Sequence, residues 1–277
     1  MINKKTKIIV FLLLFLLSVC FLFPILFVFI SSFRTRMDVT LYPSQLLPNT
    51  FTLENYKQIL FESSYAPVFR WLLNSTIVSF FHTLIVLVIC SMAAYAFSRL
   101  EFKFKNTIFW ILLSSMMIPS IVNFIPLYKL MVDINWVDTL KSLIFPGVEN
   151  AFNIFLIRQF MVSIPKDLEE SAFIDGANTW KIFTKIILPL SKPVLYVVGL
   201  FALRNNWNSL LWPMVAISTN EKRTITAGLS IAQGSFEHEF TLVNTVTVLS
   251  ALPLLIVFIF VQKHFMAGLS ASSGMKE

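Results

Sequence analysis

Apolar residues in this chain run in long unbroken stretches, not in the alternating or one-faced patterns of a soluble fold. The first stretch, Ile8 to Ile30, exceeds the roughly 18 residues that mark a membrane helix. Read along the chain, the pattern fits six spans at about 8–30, 72–97, 107–129, 139–160, 193–216 and 243–261. At ~1.5 Å of rise per residue, spans of this length cross a ~30 Å hydrocarbon core. The pattern therefore predicts an all-α, polytopic membrane protein of six transmembrane helices, with residues 1–277 forming a single transmembrane domain.

The connection at 161–192 differs from the others in being both charged and regularly patterned. Pro165 can open a helix, where its missing N–H is not needed. Asp167 and Glu170 have the spacing of a capping box, and Leu168, Ala172 and Phe173 supply a short apolar face. Gly176 suits the left-handed position that closes such a helix. Asn178 or Thr179 can cap a second helix, in which Trp180, Phe183 and Ile187 share one side. Pro189 is expected to stop that helix and Pro193 to open the fifth span. Patterning does not name what covers these faces: the protein's own helix ends or another chain.

Two other connections are long. Segment 31–71, with Pro43 and Pro48, reads as an irregular strip followed by a short amphipathic helix over Thr52–Leu60, lying on the membrane surface. Segment 217–242, with Gly228 and Gly234, reads as a polar loop.

Composition agrees with the pattern. The chain is 56% hydrophobic and 13% charged, about half the charge of a soluble domain. A net charge of +7 would suggest nucleic acid in a soluble protein, but here the basic residues sit at the ends of apolar runs. One side holds Lys4, Lys5, Lys7, Arg99, Lys103 and Lys105, then Lys166, Lys181, Lys185, Lys192, Lys263 and Lys276. The other holds Arg34, Arg36, Lys57, Arg70, Lys222 and Arg223. The positive-inside rule puts the first set, both termini and the loop at 161–192 in the cytoplasm. The lysines before Ile8 look like the start of a signal peptide, but the run is too long and no small-x-small cleavage site follows. An uncleaved first span is expected. Cys20 and Cys90 fall inside apolar runs and read as small buried hydrophobes.

Charges inside spans are costly and face protein or a water-filled path. Glu149 and Arg204 lie about ten residues into the fourth and fifth spans, about 15–17 Å from their entry points and so near the midplane. Asn150 and Asn153 accompany the first; Asn205, Asn206, Trp207 and Asn208 follow the second. Amides and an aromatic ring are what a sugar needs, dense hydrogen bonding beside an apolar platform. These eight residues are candidates for a substrate path. The alternative is an internal Glu149–Arg204 ion pair among satisfied amides, a structural glue. An unneutralised Arg204 would favour an anionic substrate such as a uronate oligosaccharide or a sugar phosphate. His82 has no carboxylate at helical spacing and reads as a packed residue. Pro24, Pro119, Pro126, Pro146 and Pro213 are expected to kink or end spans.

Glu170-Ser171-Ala172, Asp175-Gly176-Ala177, Phe183, Ile186, Leu188-Pro189 and Pro193 resemble the EAA loop of ABC-importer permeases. Ser171 stands where that motif usually has Ala, a small-for-small departure. The resemblance extends to Leu53-Glu54-Asn55-Tyr56, Trp71-Leu72-Leu73-Asn74-Ser75, Ala94-Tyr95-Ala96-Phe97-Ser98-Arg99 and Ile125-Pro126-Leu127. It continues through Phe155-Leu156, Arg158-Gln159-Phe160, Trp207-Asn208 and the tail Gln262-Lys263-His264-Phe265 with Gly268-Leu269. It is closest to the six-span permease of the maltose-type transporter.

The resemblance implies that the loop docks in a groove of a separate ATPase and passes its closing motion to the spans, through Glu169, Glu170, Ala172, Asp175, Gly176, Ala177 and Phe183. It implies a second permease chain, a different one by the maltose-type likeness, with two ATPase subunits and an extracellular solute-binding protein that segments 31–71 and 217–242 would meet. The chain has no Gly-x-x-x-x-Gly-Lys-Ser/Thr and cannot cradle nucleotide phosphates in that manner. Expected, then, is a subunit that binds no cofactor itself, with ATP and Mg used by the partner ATPase. A carbohydrate permease is the favoured reading; an ABC permease for another solute, such as a sugar phosphate, is the near alternative. An ion-coupled secondary transporter would call for internal repeats and a relay of several carboxylates, and Glu149 is the only clear intramembrane carboxylate.

Overall fold

The computed structural model describes residues 4–43, 45–62, 66–235 and 240–274; Lys276, used above for orientation, lies outside them. Among the described residues the structure is helical, with a single isolated bridge between Arg34 and Phe51. In chain order the helices are α1 (Lys4–Ser31), α2 (Arg36–Leu41), α3 (Glu54–Lys57), α4 (Val68–Arg99), α5 (Lys105–Ser114) and α6 (Phe124–Asp133). Next come α7 (Lys141–Ile144), α8 (Ala151–Val162), α9 (Asp167–Ile174), α10 (Thr179–Ile182) and α11 (Leu188–Leu190). The last four are α12 (Lys192–Trp207), α13 (Leu211–Ala216), α14 (Ile225–Ser235) and α15 (Phe240–Gly274).

The first, second and sixth expected spans are long straight helices, α1, α4 and α15, each apolar enough to cross a membrane. The middle three are broken, which corrects the expectation of continuous helices. Over 107–129 the chain bends by 96° between Lys105–Met117 and Ser120–Asp133. Pro119 has no N–H to continue the ladder and forces Ile118 into extended backbone (φ −81, ψ 119). Over 139–160 only α8, 12 residues long, is a substantial helix. Pro146 and Gly147, the latter at φ +79, occupy the break before it. Asn150 restarts the helix by accepting a hydrogen bond from Asn153 N (3.1 Å). The fifth stretch is interrupted between α12 and α13. Pro24, by contrast, is carried inside α1, and Pro126 and Pro213 lie within α6 and α13.

Two compact units are formed, one from Met1–Arg70 and Gly228–Pro253, the other from Trp71–Ala227 and Leu254–Glu277. In the first, residues 5–26 of α1 are exposed all round, as a helix covered by lipid would be. Cys20, expected to be buried, is exposed with them. The strip that follows α1 is held by Arg34. This guanidinium, expected as a loop charge, is 1% exposed. It donates to Asp38 Oδ2 (3.2 Å), Asp38 O (2.9 Å), Tyr42 O (2.7 Å) and Gln45 O (2.7 Å). The helix expected over Thr52–Leu60 begins at Glu54 and continues as a π-helical turn, Gln58–Glu62, which buries Ile59.

The core of the second unit explains how the loop is rooted. Val86, Cys90, Ala94 and Tyr95 of α4 pack with Ile154, Ile157 and Met161 of α8, and with Val194, Val198 and Ala202 of α12. Ile182, Phe183 and Ile187 from the charged connection complete the cluster. Between membrane helices, where lipid is as apolar as these side chains, such a cluster holds by close packing, which small residues such as Ala94 and Ala202 permit.

Candidate functional site: a charged loop and a polar cavity

Helices α9 and α10 form the helix-turn-helix expected from the sequence. Gly176 sits at φ +78, where any other residue is strained. Gly176 N donates to Phe173 O (3.0 Å) and Ala177 N to Ala172 O (2.9 Å), closing α9. Asn178 caps α10 by accepting from Lys181 N (2.8 Å).

Three local expectations change. The capping box does not form: Lys166 takes the cap position without a side-chain bond, and Asp167 falls in the first turn, where a negative charge suits the helix dipole. Pro189 does not end the helix; α11 continues through it, and the 78° bend falls between Leu190 and Lys192. Trp180, Phe183 and Ile187, expected on one side, differ in cover: the Trp180 and Phe183 rings lie 5.6 Å apart, yet Phe183 and Ile187 are buried while Trp180 is exposed, and Phe183–Ile187 is a π-helical turn.

The expected coupling residues thus divide. Glu170, Asp175 and Gly176 are exposed, joined at the tip by Phe173, Ile174 (87% exposed) and Trp180. Ala172 and Ala177 are half-buried against the core. Phe183 lies in that core, its ring 4.9 Å from Tyr95 and 5.6 Å from Trp180. Glu169 points inward and forms a buried ion pair with Arg99 at the end of α4. Arg99 also donates to Ile164 O (2.6 Å), so one guanidinium ties the helix end to both the start and the body of the loop. Burial pushes the Glu169 carboxyl above its ordinary range, outweighing the Arg99 and Lys166 charges that pull it down.

A second joint holds segment 217–225. Asp138, itself left-handed at φ 58, accepts from Ser218 N (3.0 Å), Thr219 N (2.9 Å), Thr219 Oγ1 (2.6 Å) and Lys222 Nζ (2.8 Å). Burial works against its charge, but the bonds from Lys222, Thr219 and Ser218 win and hold the carboxyl well below the usual range. From α4, Trp71 Nε1 donates to Asn220 O (2.7 Å), and Asn74 Nδ2 to Glu221 O (2.7 Å) and Arg223 O (2.9 Å). The segment expected as a loop is instead helical over Ile225–Ser235 (α14) and is firmly stapled at its start.

Where the broken helices meet, a cavity of about 580 Å³ opens, within the range of small-molecule sites. The breaks supply its wall. Asn123 and Phe124 come from the turn after Pro119, Pro146, Gly147 and Asn150 from the break before α8, and Ser209 to Pro213 from the break after α12. Of the eight residues proposed for a substrate path, Asn150, Asn153, Asn205 and Asn206 line this cavity. Asn206 is already committed, accepting from Ser79 Oγ (2.9 Å) and donating to Leu143 O (3.2 Å). Glu149, Arg204 and Asn208 are exposed away from its wall, and Trp207 is buried behind it. Among the described residues no ion pair joins Glu149 to Arg204. The breaks put neither in the middle of a continuous helix, so counting residues at helical rise does not place them, and the ion pair offered as the alternative to a substrate path is not seen.

The family profile described as the binding-protein-dependent transport system inner membrane component matches residues 85–270. The chain belongs to this family. It is 31% identical over 257 residues to the arabinooligosaccharides transport system permease protein AraQ of Bacillus subtilis (strain 168), covering 92% of this chain and 91% of that one. It is 30% identical over 253 residues to the sn-glycerol-3-phosphate transport system permease protein UgpE of Escherichia coli, covering 90% of each. A crystal structure of a bacterial ABC transporter that imports the acidic polysaccharide alginate contains a chain of similar fold. That chain gives a TM-score of 0.84 at 26% identity, over 96% of this chain and 99% of that one.

The protein is thus the membrane-embedded permease of an ATP-driven transport system and not itself an enzyme; ATP hydrolysis lies in partner chains. The permease also holds roles that the sequence does not announce. Arg99 enters only through orientation and the family resemblance, though a basic residue closing a long apolar helix, beside an acidic loop of the same side, is a signal for such a joint. His82 is packed, as expected, and bonded to Ile144 O; Asp138 has no local signal, since its partners lie 80 or more residues away.

Proposed function

We propose that this permease moves a sugar or oligosaccharide into the cell, with a separate ATPase subunit docking on the loop at 165–193 and driving alternating access. The observation that carries the reading is the division within the loop. Its tip, with Phe173, Ile174 and Trp180 between Glu170 and Asp175, is exposed, while its root lies in the same core as α4, α8 and α12. An element greasy outside and rooted inside suits a part that is pushed by a partner and moves helices. Such a push biases the packing only through contacts that differ between the two states. The partner is a pair of ATPase subunits using ATP and Mg.

Carbohydrate as cargo is supported by the names of AraQ and of the alginate importer and by the amide-lined cavity as the passage. A second permease chain of different sequence completes the pathway, and an extracellular binding protein delivers the sugar. Both termini and the loop at 165–193 face the cytoplasm. The orientation rests on the excess of Lys and Arg on that side; the pairs Arg99–Glu169 and Asp138–Lys222 each join connections that a six-span alternation puts on one side.

The test is Gly176→Pro with the subunits co-expressed. Proline cannot reach φ +78, so the turn should be lost, and with it co-purification of the ATPase and sugar uptake. Unchanged assembly and transport would overturn the assignment of the loop.

A further inference from the structure

We infer that the cavity takes an uncharged, polyhydroxylated ligand, with His82 Nε2 accepting a hydrogen bond from one of its hydroxyls. The inference rests on reading this cavity as the sugar passage, and goes further in naming the charge class and a residue that reads it.

His82 lines the cavity from α4 and is 8% exposed. Its Nδ1 lies 2.8 Å from Ile144 O. A carbonyl can only accept, so Nδ1 carries the hydrogen. In the neutral ring Nε2 is then an acceptor, and among the described residues no hydrogen bond engages it. Nε2 is not enclosed by protein but open to the cavity, where a ligand or water can supply its donor. Asn153, 6% exposed on the same wall, also has an amide side chain that no described residue engages. Asn150 spends its Oδ1 on capping α8, which leaves its amide N–H groups. Asn123 and Asn205 add further amides, and the edge-to-face pair of Phe124 and Trp212, 5.4 Å apart, gives an apolar surface.

Among the described residues the wall contains no Lys, Arg, Asp or Glu. An anion moved into such a site would lose its water shell with no cation to replace it. Hydroxyls, which both donate and accept, match amides and an imidazole nitrogen group for group. The charged residues that suggested an anionic substrate, Arg204 above all, are not part of this wall.

The experiment measures uptake by the complete transporter in its own membrane, with arabinotriose as the neutral probe and a uronic acid trisaccharide as the charged one. The expected result is uptake of the neutral probe. His82→Asn keeps a donor for Ile144 O but removes the acceptor at the Nε2 position, and should lower uptake roughly fivefold, as loss of one hydrogen bond does. ATP hydrolysis and the amount of complex should be retained. His82→Gln keeps an acceptor at the far position and should retain most uptake; a purely structural histidine predicts the reverse order. Asn153→Asp, nearly isosteric, should lower uptake of the neutral probe as well, and gives a second reading if the His82 variants fail to assemble. Uptake confined to the charged trisaccharide would overturn this inference and leave the sugar importer standing. His82→Asn and Asn153→Asp both at wild-type uptake would overturn it equally. Uptake of neither probe by an assembled, ATP-hydrolysing complex would overturn the importer reading and the inference with it.

Discussion

Glu169 and Asp138 each join a loop to a distant part of the second unit, and they do so by opposite means. Asp138 gathers two backbone N–H groups, a hydroxyl and an ammonium around a carboxylate that is still partly open to water. Its ionised form is the favoured one. Glu169 faces the single guanidinium of Arg99 where both side chains are almost fully covered, and burial raises its carboxyl above the ordinary range. The difference teaches what each joint can tolerate. A carboxylate with many donors survives the loss of one; a buried pair with one partner on each side leaves a stranded charge when either is removed.

That contrast orders the expected effects. Glu169→Ala should be the most damaging, destabilising by about 3–5 kcal/mol because Arg99 is left buried without its anion. Thermal unfolding of the detergent-solubilised permease measures it, and a shift no larger than that of Asp138→Ala would erase the contrast. Asp138→Ala should follow at about 1–3 kcal/mol, the range for losing partners of a charged hydrogen-bonded group. Next comes Gly176→Ala, about 1–2 kcal/mol from forcing a side chain into left-handed backbone. Gly147→Ala is its control: it has the same φ, and a Cβ would meet nothing within 4 Å at either site. Similar losses of stability, with co-purification of the ATPase falling only in the Gly176 variant, would assign the extra effect to docking.

The pH dependence sharpens the same comparison at the smallest scale. The Asp138 carboxyl is held below its unfolded value of 3.8. Its contribution is therefore complete above that value and is lost as pH falls through the folded one. Glu169 is raised above its unfolded 4.5, so the folded protein holds the proton longer. Its contribution declines as pH rises from 4.5 through the raised folded value. Asp138→Asn should flatten the loss of stability below pH 4, whereas Glu169→Gln should remove a loss that appears on raising the pH above 4.5. Unfolding temperatures across a pH series separate them.

Much of this was legible in the chain. Helices α1, α4 and α15 follow from unbroken apolar runs, and the turn between α9 and α10 from Gly176 and Asn178. Legibility failed where backbone restarts after a break. Apolar content is the same whether 107–129 is one helix or two crossing at 96°, so hydropathy could not see that Pro119 folds the segment back. Midplane position was inferred for Glu149 and Arg204 by counting residues at helical rise, and the count loses meaning once the helix is interrupted. Four of the asparagines named with them, Asn150, Asn153, Asn205 and Asn206, do line one cavity, Asn150 from the break before α8 and the others from α8 and α12. Phe183, expected at the loop's contact surface, is instead buried against Tyr95 in the core, since an apolar residue on a short helix reads the same whether its own protein or a partner covers it.

The central claim is that the loop's exposed tip is where an ATPase drives this permease. Ile174→Asp puts a charge on its most exposed apolar residue, 87% accessible, where the fold should not notice it. Co-purification of the ATPase subunits with the tagged variant is the measurement. The account predicts a permease of wild-type abundance and unfolding temperature from which the ATPase has been lost. Recovery of the ATPase at wild-type levels, with sugar uptake intact, would contradict it.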